Sequence, residues 1–361
     1  MPFSDFIGNS RIVESIQRMI AEDRLPQTML FAGQRGVGKA TLARYLAAAV
    51  NCRDAKADFC GKCSSCTRML AADLSVDEYQ KQFEEREKLP AAKRGEAPLI
   101  VSTHPDFLIF PPDGPMRILT VEQARQLRTA ARYNPSEARR RVFLIDEADR
   151  ANDEAANSLL KTLEEPAPAL TIILTAESPY ELLPTIRSRT VQFFFTPLST
   201  EEMDRFFETR SDFDETQRRR LSGWAQGSPG RALGLDVDEY LWRRDAMLDV
   251  LKTSLGAQSF AELIGKTEAV ARRGREKLEL LIEMLFSLLG DLLHLRHGSG
   301  GLVNADIRED LRELSEKASF EWFERASLRL EELEEWRRRN VGKQAALEAF
   351  ALELRRVAAR R

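Results

Sequence analysis

The sequence contains no apolar run of about 18 residues, so no segment of it is expected to cross a bilayer as a helix. Its opening stretch, Met1 to Gln17, has no basic segment followed by an apolar one, so no secretory signal is expected there and the cytoplasm is the expected location. An excess of one charge is also missing. Lys+Arg 54 against Asp+Glu 57 leaves a formal charge of −3, which gives no overall field that argues for nucleic acid. Cysteine is scarce, at 4 of 361 residues, which excludes a disulfide-dense secreted scaffold. Histidine is scarcer still, at 3, and His294 and His297 read as ordinary surface or helix-end residues far along the chain from the cysteines. What remains, 43% hydrophobic and 31% charged, describes a soluble globular chain with room for two or three domains.

The most informative segment is TMLFAGQRGVGKATLAR, residues 28 to 44. Met29-Leu30-Phe31-Ala32 suits a buried strand. The glycines that follow, Gly33, Gly36 and Gly38, let backbone N–H groups converge without Cβ clashes. With the dipole of a helix starting near Lys39, they make an anion site, and Lys39 adds a charge for the β- and γ-phosphates of a nucleotide. The spacing fits G-x-x-x-x-G-K-[ST] except at its last position, where Ala40 replaces the hydroxyl that would hold Mg²⁺. Thr41 lies one residue late, about 100° around the helix, and is not expected to reach the same metal. ATP or ADP binding is therefore expected to be possible, the Mg²⁺ site impaired, and hydrolysis weak or absent.

All four cysteines fall in one stretch, Cys52, Cys60, Cys63 and Cys66, spaced C-x7-C-x2-C-x2-C. In a chain without a secretion signal this favours structural zinc over disulfides, since four thiolates leave no open coordination position. An iron–sulfur cluster and reduced free thiols are the alternatives; a ferredoxin-like run would carry its fourth cysteine downstream in a Cys-Pro pair.

Arg141 to Ile145 is a second apolar run, and it ends in Asp146-Glu147-Ala148-Asp149. At the carboxyl end of a strand in a parallel sheet, Asp146 would sit beside the phosphate loop and hold Mg²⁺, and Glu147 would polarise the attacking water. A leucine-rich helix then closes in Leu163-Glu164-Glu165-Pro166. Another buried strand follows at Leu170 to Leu174, and then Ile186-Arg187-Ser188-Arg189-Thr190. The basic triplets at 139–141, 218–220 and 337–339 lack interleaved aromatics and read as solvated faces.

The loop, the acidic strand, the LEEP helix and the IRSRT segment together resemble the AAA+ subunits of bacterial sliding-clamp loaders, and within that family the δ′ type of DNA polymerase III. The similarity runs over about residues 3 to 235. Ala40 after the loop lysine, His104-Pro105-Asp106, and Gly227-Ser228-Pro229-Gly230-Arg231 favour δ′ over the γ/τ motor. The resemblance implies that Arg189 is an arginine finger projected onto ATP held by a neighbouring motor subunit, where it would stabilise charge on the transferring phosphoryl. It implies that Arg231 faces this chain's own nucleotide site, and that Asp5-Phe6-Ile7-Gly8 packs near the adenine. The implied partners are γ/τ and δ subunits in a hetero-pentamer, with the sliding clamp and primed DNA reached through the complex.

The expected fold is an α/β AAA+ P-loop domain, a parallel sheet flanked by helices, over residues 1–197, with a four-Cys zinc module at 52–66 and a charged insertion at 73–100. The insertion reads as a short exposed helix from about 75 to 88 and then a linker. Ser199 with Glu202 marks a helix start. A small helical lid is expected over 198–236 and an all-helical collar for oligomerisation over 237–361, where Leu278, Leu281, Ile282, Leu285, Leu288, Leu289 and Leu292 form a helical stripe. The expected function is a non-motor clamp-loader subunit. An ATP-driven γ/τ-type motor, and an AAA+ protein of recombination or repair, are the alternatives.

Overall fold

The computed structural model describes residues 2–209, 214–273, 278–298, 301–338 and 341–359. The chain divides into two compact units, one of Met1–Asp214 with Gly227–Leu233, the other of Glu215–Gln226 with Gly234–Arg361. The segment expected as a lid, 198–236, is thus shared between the two units. Among the described residues no helix is long and apolar enough to cross a membrane.

The first unit is built on six strands: β1 (Thr28–Ala32), β2 (Val101–His104), β3 (Phe107–Phe110), β4 (Arg141–Ile145), β5 (Leu170–Ala176) and β6 (Val191–Phe194). They lie in the order β2-β3-β4-β5-β1-β6. Only the β2–β3 pair is antiparallel; all the others are parallel. All residues of β1, β4 and β5 are buried, as expected for parallel strands covered on both faces. The period of two splits them between two cores. Met29, Phe31, Val142 and Leu144 face one side with Leu42 and Leu46, while Leu30, Ala32, Phe143 and Ile145 face the other with Leu127, Leu159 and Leu163. The parallel sheet flanked by helices expected from the sequence is what forms.

Its helices are α1 (Ser10–Ala21), α2 (Lys39–Asn51), α3 (Ser64–Leu70), α4 (Asp77–Glu87), α5 (Ala91–Glu96), α6 (Val121–Ala130), α7 (Asp153–Glu164), α8 (Pro184–Arg187) and α9 (Thr200–Glu208). Of the next two, α10 (Glu215–Ala225) lies in the second unit and α11 (Pro229–Leu233) in the first. The Ser199–Glu202 capping box read in the sequence is present at the start of α9. Two expectations need correcting. The linker after α4 holds a second short helix, α5, and the insertion is not simply solvated, since Tyr79 and Phe83 pack against the core. Nor is the triplet at 139–141 a uniformly solvated face. Arg141 is the first residue of a central strand, is buried, and donates to the carbonyls of Ala130 (2.6 Å) and Pro105 (3.3 Å).

The second unit adds α12 (Val237–Ser254), α13 (Phe260–Arg272), α14 (Leu278–His297), α15 (Arg308–Lys317), α16 (Phe320–Arg338) and α17 (Lys343–Ala358). The stripe from Leu278 to Leu292 is buried with Trp322, Leu330 and Phe350 in one core. The buried carboxylate of Asp291 accepts from the backbone of Val303 and Asn304 (2.8 and 2.9 Å) and from the Asn304 amide (2.8 Å), which pins the loop after α14. The triplet at 337–339 falls partly on residues outside those described.

The His104-Pro105-Asp106 motif is a structural stitch. The carboxylate of Asp106, fully buried, accepts from the N–H groups of Ser136 (2.9 Å), Glu137 (2.8 Å) and Ala138 (2.9 Å) and from the Ser136 hydroxyl (3.2 Å). Burial opposes its charge, but these donors outweigh it and hold its pKa below the ordinary value. His104 Nδ1 accepts from the Asp106 N–H at 3.1 Å, which leaves Nε2 facing the Ser65 hydroxyl at 3.4 Å. Asp106→Asn would turn an amide donor toward N–H donors. It should cost about 3 kcal/mol in urea unfolding at pH 7. Because the folded-state pKa is depressed, the loss should shrink only as pH falls below the ordinary carboxylate value near 3.9. A substitution without effect at pH 7 would show that the stitch is redundant.

Candidate functional site

Strand order creates the site. β5 lies between β1 and β4, so the loop leaving β1 and the acids leaving β4 emerge at the same edge, one strand apart. Gly33 N–H donates to Ala176 O (3.1 Å) and closes the end of β1 onto β5. Gly36 and Gly38 take positive φ, +79° and +98°, and α2 starts at Lys39, as expected from the motif. Phe6 lies against Gly38, where an added Cβ would come within 2.9 Å of its ring. Ala40 packs toward the core and supplies no oxygen.

The Lys39 ammonium donates to the carbonyls of Gly33 and Gln34, the latter at 2.9 Å. Burial lowers its pKa, against the support of Asp146, Glu177, Asp149 and Glu147. Across the edge, the Thr175 hydroxyl donates to Asp146 Oδ1 (2.7 Å) and accepts from the Glu147 N–H (2.9 Å). Asp146 is pushed upward by burial and then by Glu147. Glu147 moves the other way. Burial opposes its charge, but Arg117, Arg35 and Arg150 overcome it. Arg117 donates to its Oε1 at 2.8 Å, Arg150 Nε sits 2.6 Å from its Oε2, and Arg35 lies at 3.7 Å. Both Glu147 (φ +48°) and Arg117 (φ +46°) hold left-handed backbone, a costly conformation for residues with a Cβ and one that clusters at functional sites.

The segment 227–233 closes over the loop. Ser228 Oγ donates to Arg35 O (2.7 Å) and Gly230 N–H to Gly36 O (2.8 Å). A Cβ on Gly36 would collide with Ser228 and with the backbone of Arg231. The backbone of Arg231 therefore lies against the loop. Arg189 lies elsewhere. It follows α8 and donates to Thr185 O (2.7 Å) and to Glu164 Oε1 (2.5 Å), partly exposed. Sequence reading missed Thr175, Arg35, Arg117 and Arg150. Only Thr175, a hydroxyl near the carboxyl end of a largely aliphatic buried strand, left a signal in the sequence.

The four cysteines come together, with their sulfurs all within 4.8 Å of one another. A tetrahedral Zn–S₄ site with bonds of 2.3 Å has sulfurs about 3.8 Å apart, so the set fits such an ion with a small contraction. Cys52 Sγ accepts from the N–H of Ala55 (3.3 Å) and Cys60 (3.4 Å), and Cys60 Sγ from the N–H of Lys62 (3.5 Å) and Cys63 (3.3 Å). These donors disperse thiolate charge. Burial opposes ionisation of Cys63, yet the N–H and thiol of Cys66 with the N–H of Arg53 draw it down to about 7. Cys52 and Cys66 are buried between α2 and α3 in the sheet's core.

Residues 8–199 match the family model described as DNA polymerase III, delta subunit. The tau subunit of DNA polymerase III from Salmonella typhimurium is 28% identical over 338 residues, 87% of this chain and 47% of that protein. The gamma/tau subunit from Mycobacterium tuberculosis is 32% identical over 203 residues, 56% of this chain and 30% of that protein. The chain thus spans about half or less of the length of these relatives. A solved gamma subunit-related protein of Thermotoga maritima covers 96% of this chain and 99% of its own, at 17% identity and a TM-score of 0.44.

Two outcomes check the site. Native mass spectrometry should find a single zinc ion per chain, and its removal by a chelator should lower the melting temperature, because ligand binding and folding are linked. A chain that is metal-free and equally stable would remove the zinc reading. Burial also raises Asp149 to about 6. Folding therefore favours its protonated form. The stability this gives is present below the ordinary value near 3.9 and is lost as pH rises through about 6. Asp149→Asn, which still accepts the Glu177 N–H seen at 2.9 Å, should resist urea better than the parent at pH 8 and equally at pH 4. Superimposable curves at pH 8 would count against this.

Proposed function

The chain belongs to the DNA polymerase III delta-subunit family, and from that premise we propose that it serves as a clamp-loader subunit of the δ′ kind, one that orders the assembly and does not drive it. The observation that carries this reading is Ala40 at the position where a motor needs its metal-binding hydroxyl. Gly33, Gly36, Gly38, Lys39 and Thr41 would surround a nucleotide's phosphates with Arg231 above them. Asp146 would be the remaining protein ligand for Mg²⁺, whose role when bound is to neutralise phosphate charge. Glu147, the residue that would orient water, is held by arginines instead.

Arg189 is the group this chain would contribute to a neighbour. Its contact with Glu164 is partly exposed and weak enough for a phosphate to displace it. Zinc at Cys52, Cys60, Cys63 and Cys66 would be structural. In this reading the lid spans 198–236, the collar spans 237–361 and joins γ/τ and δ subunits in a hetero-pentamer, and the complex acts on the sliding clamp and primed DNA in the cytoplasm. A second reading, a γ/τ-type motor, draws support from the curated relatives, which are tau and gamma subunits, and from the presence of Lys39, Asp146 and Glu147. The two readings separate by experiment. With candidate motor and δ subunits of its own organism, the chain should co-elute as a complex whose primer-stimulated ATPase falls at least tenfold on Arg189→Ala. The chain alone should hydrolyse almost no ATP. Motor-level hydrolysis by the isolated chain would exclude the δ′ role.

A further inference from the structure

The insertion at 73–100 is anchored where a merely solvated segment would have no reason to be. Its main helix, α4, is strongly polar, and none of its 11 residues, all described, is fully buried. A short polar helix is marginal alone and needs tertiary anchors. Asp73, before the helix, pairs with Arg44 at 2.8 Å. At its far end, Leu99 is buried and its carbonyl accepts from the Gln123 amide at 2.8 Å. Between these ends, Arg86 makes a bidentate contact with Asp113, Nε to Oδ1 at 2.9 Å and Nη2 to Oδ2 at 2.6 Å. The Asp113 side chain is 1% exposed. A carboxylate taken that far from water must be paired, and Arg86 balances it.

Asp113 opens a tight turn. Its N–H donates to Ile118 O (2.9 Å), Ile118 returns the bond (3.2 Å), and Arg117 N–H donates to Gly114 O (2.9 Å). The guanidinium of Arg94, from α5, fills the space beside Gly114, where a Cβ would approach it to 2.8 Å; Gly114 also has φ +72°. Arg86 reaches the Arg94 carbonyl at 3.4 Å, so the two anchors support each other. Arg117 extends from this same turn to Glu147.

We propose that the insertion is a positioning element for the nucleotide site. Through Arg86 on Asp113 and Arg94 against Gly114, it fixes the 113–118 turn in the strained form from which Arg117 holds Glu147, and so adds a second restraint on hydrolysis beside Ala40. This rests on the nucleotide-site reading above. Arg86 and Arg94 are positioning residues, since neither touches the site.

The test uses the full chain without partners. In Arg86→Met, hydrogen exchange at the amides of Gly114, Met116, Arg117 and Ile118 should accelerate about tenfold or more, the loss of a charged bidentate pair, while β4 and β5 keep their protection. Arg86→Lys keeps the charge without the fork and should fall between; it also serves should the Met variant fold poorly. On an Ala40→Ser background, adding Arg117→Ala or Arg86→Met should each raise ATPase by roughly tenfold, equivalent to about 1.4 kcal/mol of barrier. Unchanged exchange over 114–118 overturns the link. So does a gain with Arg117→Ala that Arg86→Met fails to reproduce. Exchange needs no nucleotide, so a normal exchange response with no ATPase in any variant overturns the nucleotide-site reading and not the link.

Discussion

An ammonium and two carboxylates emerge at one edge of a buried parallel sheet, and each needs a partner. This constraint organises the first unit. β5 lies between the strand that leads to Lys39 and the strand that ends in Asp146 and Glu147, so none of these charges can be placed without the others. Thr175 supplies the hydroxyl that satisfies Asp146 and the amide of Glu147 together. Lys39 is satisfied by loop carbonyls. Glu147 takes three arginines from three separate segments: the phosphate loop, the 113–118 turn and the short helix after β4. In a setting of low dielectric, an unpaired member would cost several kcal/mol, so the charges determine which loops must sit together.

The same accounting explains the outer layers. The segment 227–233 covers the loop because Gly36 is bare enough to let Ser228 reach the Arg35 carbonyl and Gly230 the Gly36 carbonyl. The insertion covers the 113–118 turn because Asp113 needs Arg86. The cysteine module is fixed to the rest through His104 and Ser65 on one side and the buried Cys52 and Cys66 on the other. Each peripheral element is thus secured by a polar group that the sheet alone could not satisfy.

Much of this was legible in the sequence because it is local. The phosphate loop, the apolar strand ending in acids, the cysteine spacing and the Ser199 capping box are each set by residues within about fifteen positions of one another, where periodicity and turn chemistry carry information. The arginines around Glu147 were not legible. Arg35 and Arg117 lie far from Glu147 along the chain, and only the fold brings them to its carboxylate, while Arg150, three residues on, forms no recognisable motif with them. Arg141 was misjudged because a triplet of arginines looks solvated, while the first residue of a central strand is committed to the interior. The helix α5 was missed because Pro90 and Gly95 bracket a segment with no apolar period; it is held by Arg94 against Gly114 and not by a hydrophobic face.

In the proposed reading, the chemistry that would separate this chain from a motor is small. The sheet, the lysine and both acids are kept, and the departures are one missing hydroxyl and one glutamate turned toward arginines. A glutamate paired with arginines has its lone pairs engaged and its charge stabilised, so it is a poorer base and a poorer anchor for water. Neither departure weakens the phosphate cradle, whose N–H groups and Lys39 remain in place. In the proposed reading, binding and turnover are therefore controlled by different residues. A subunit of this kind could keep a nucleotide, and the interface built around it, through cycles in which a neighbour hydrolyses its own, with Arg189 as the group offered to that neighbour. That separation is what the proposed role as a fixed member of an assembly would require, and it would need no change of the sheet or of the phosphate loop.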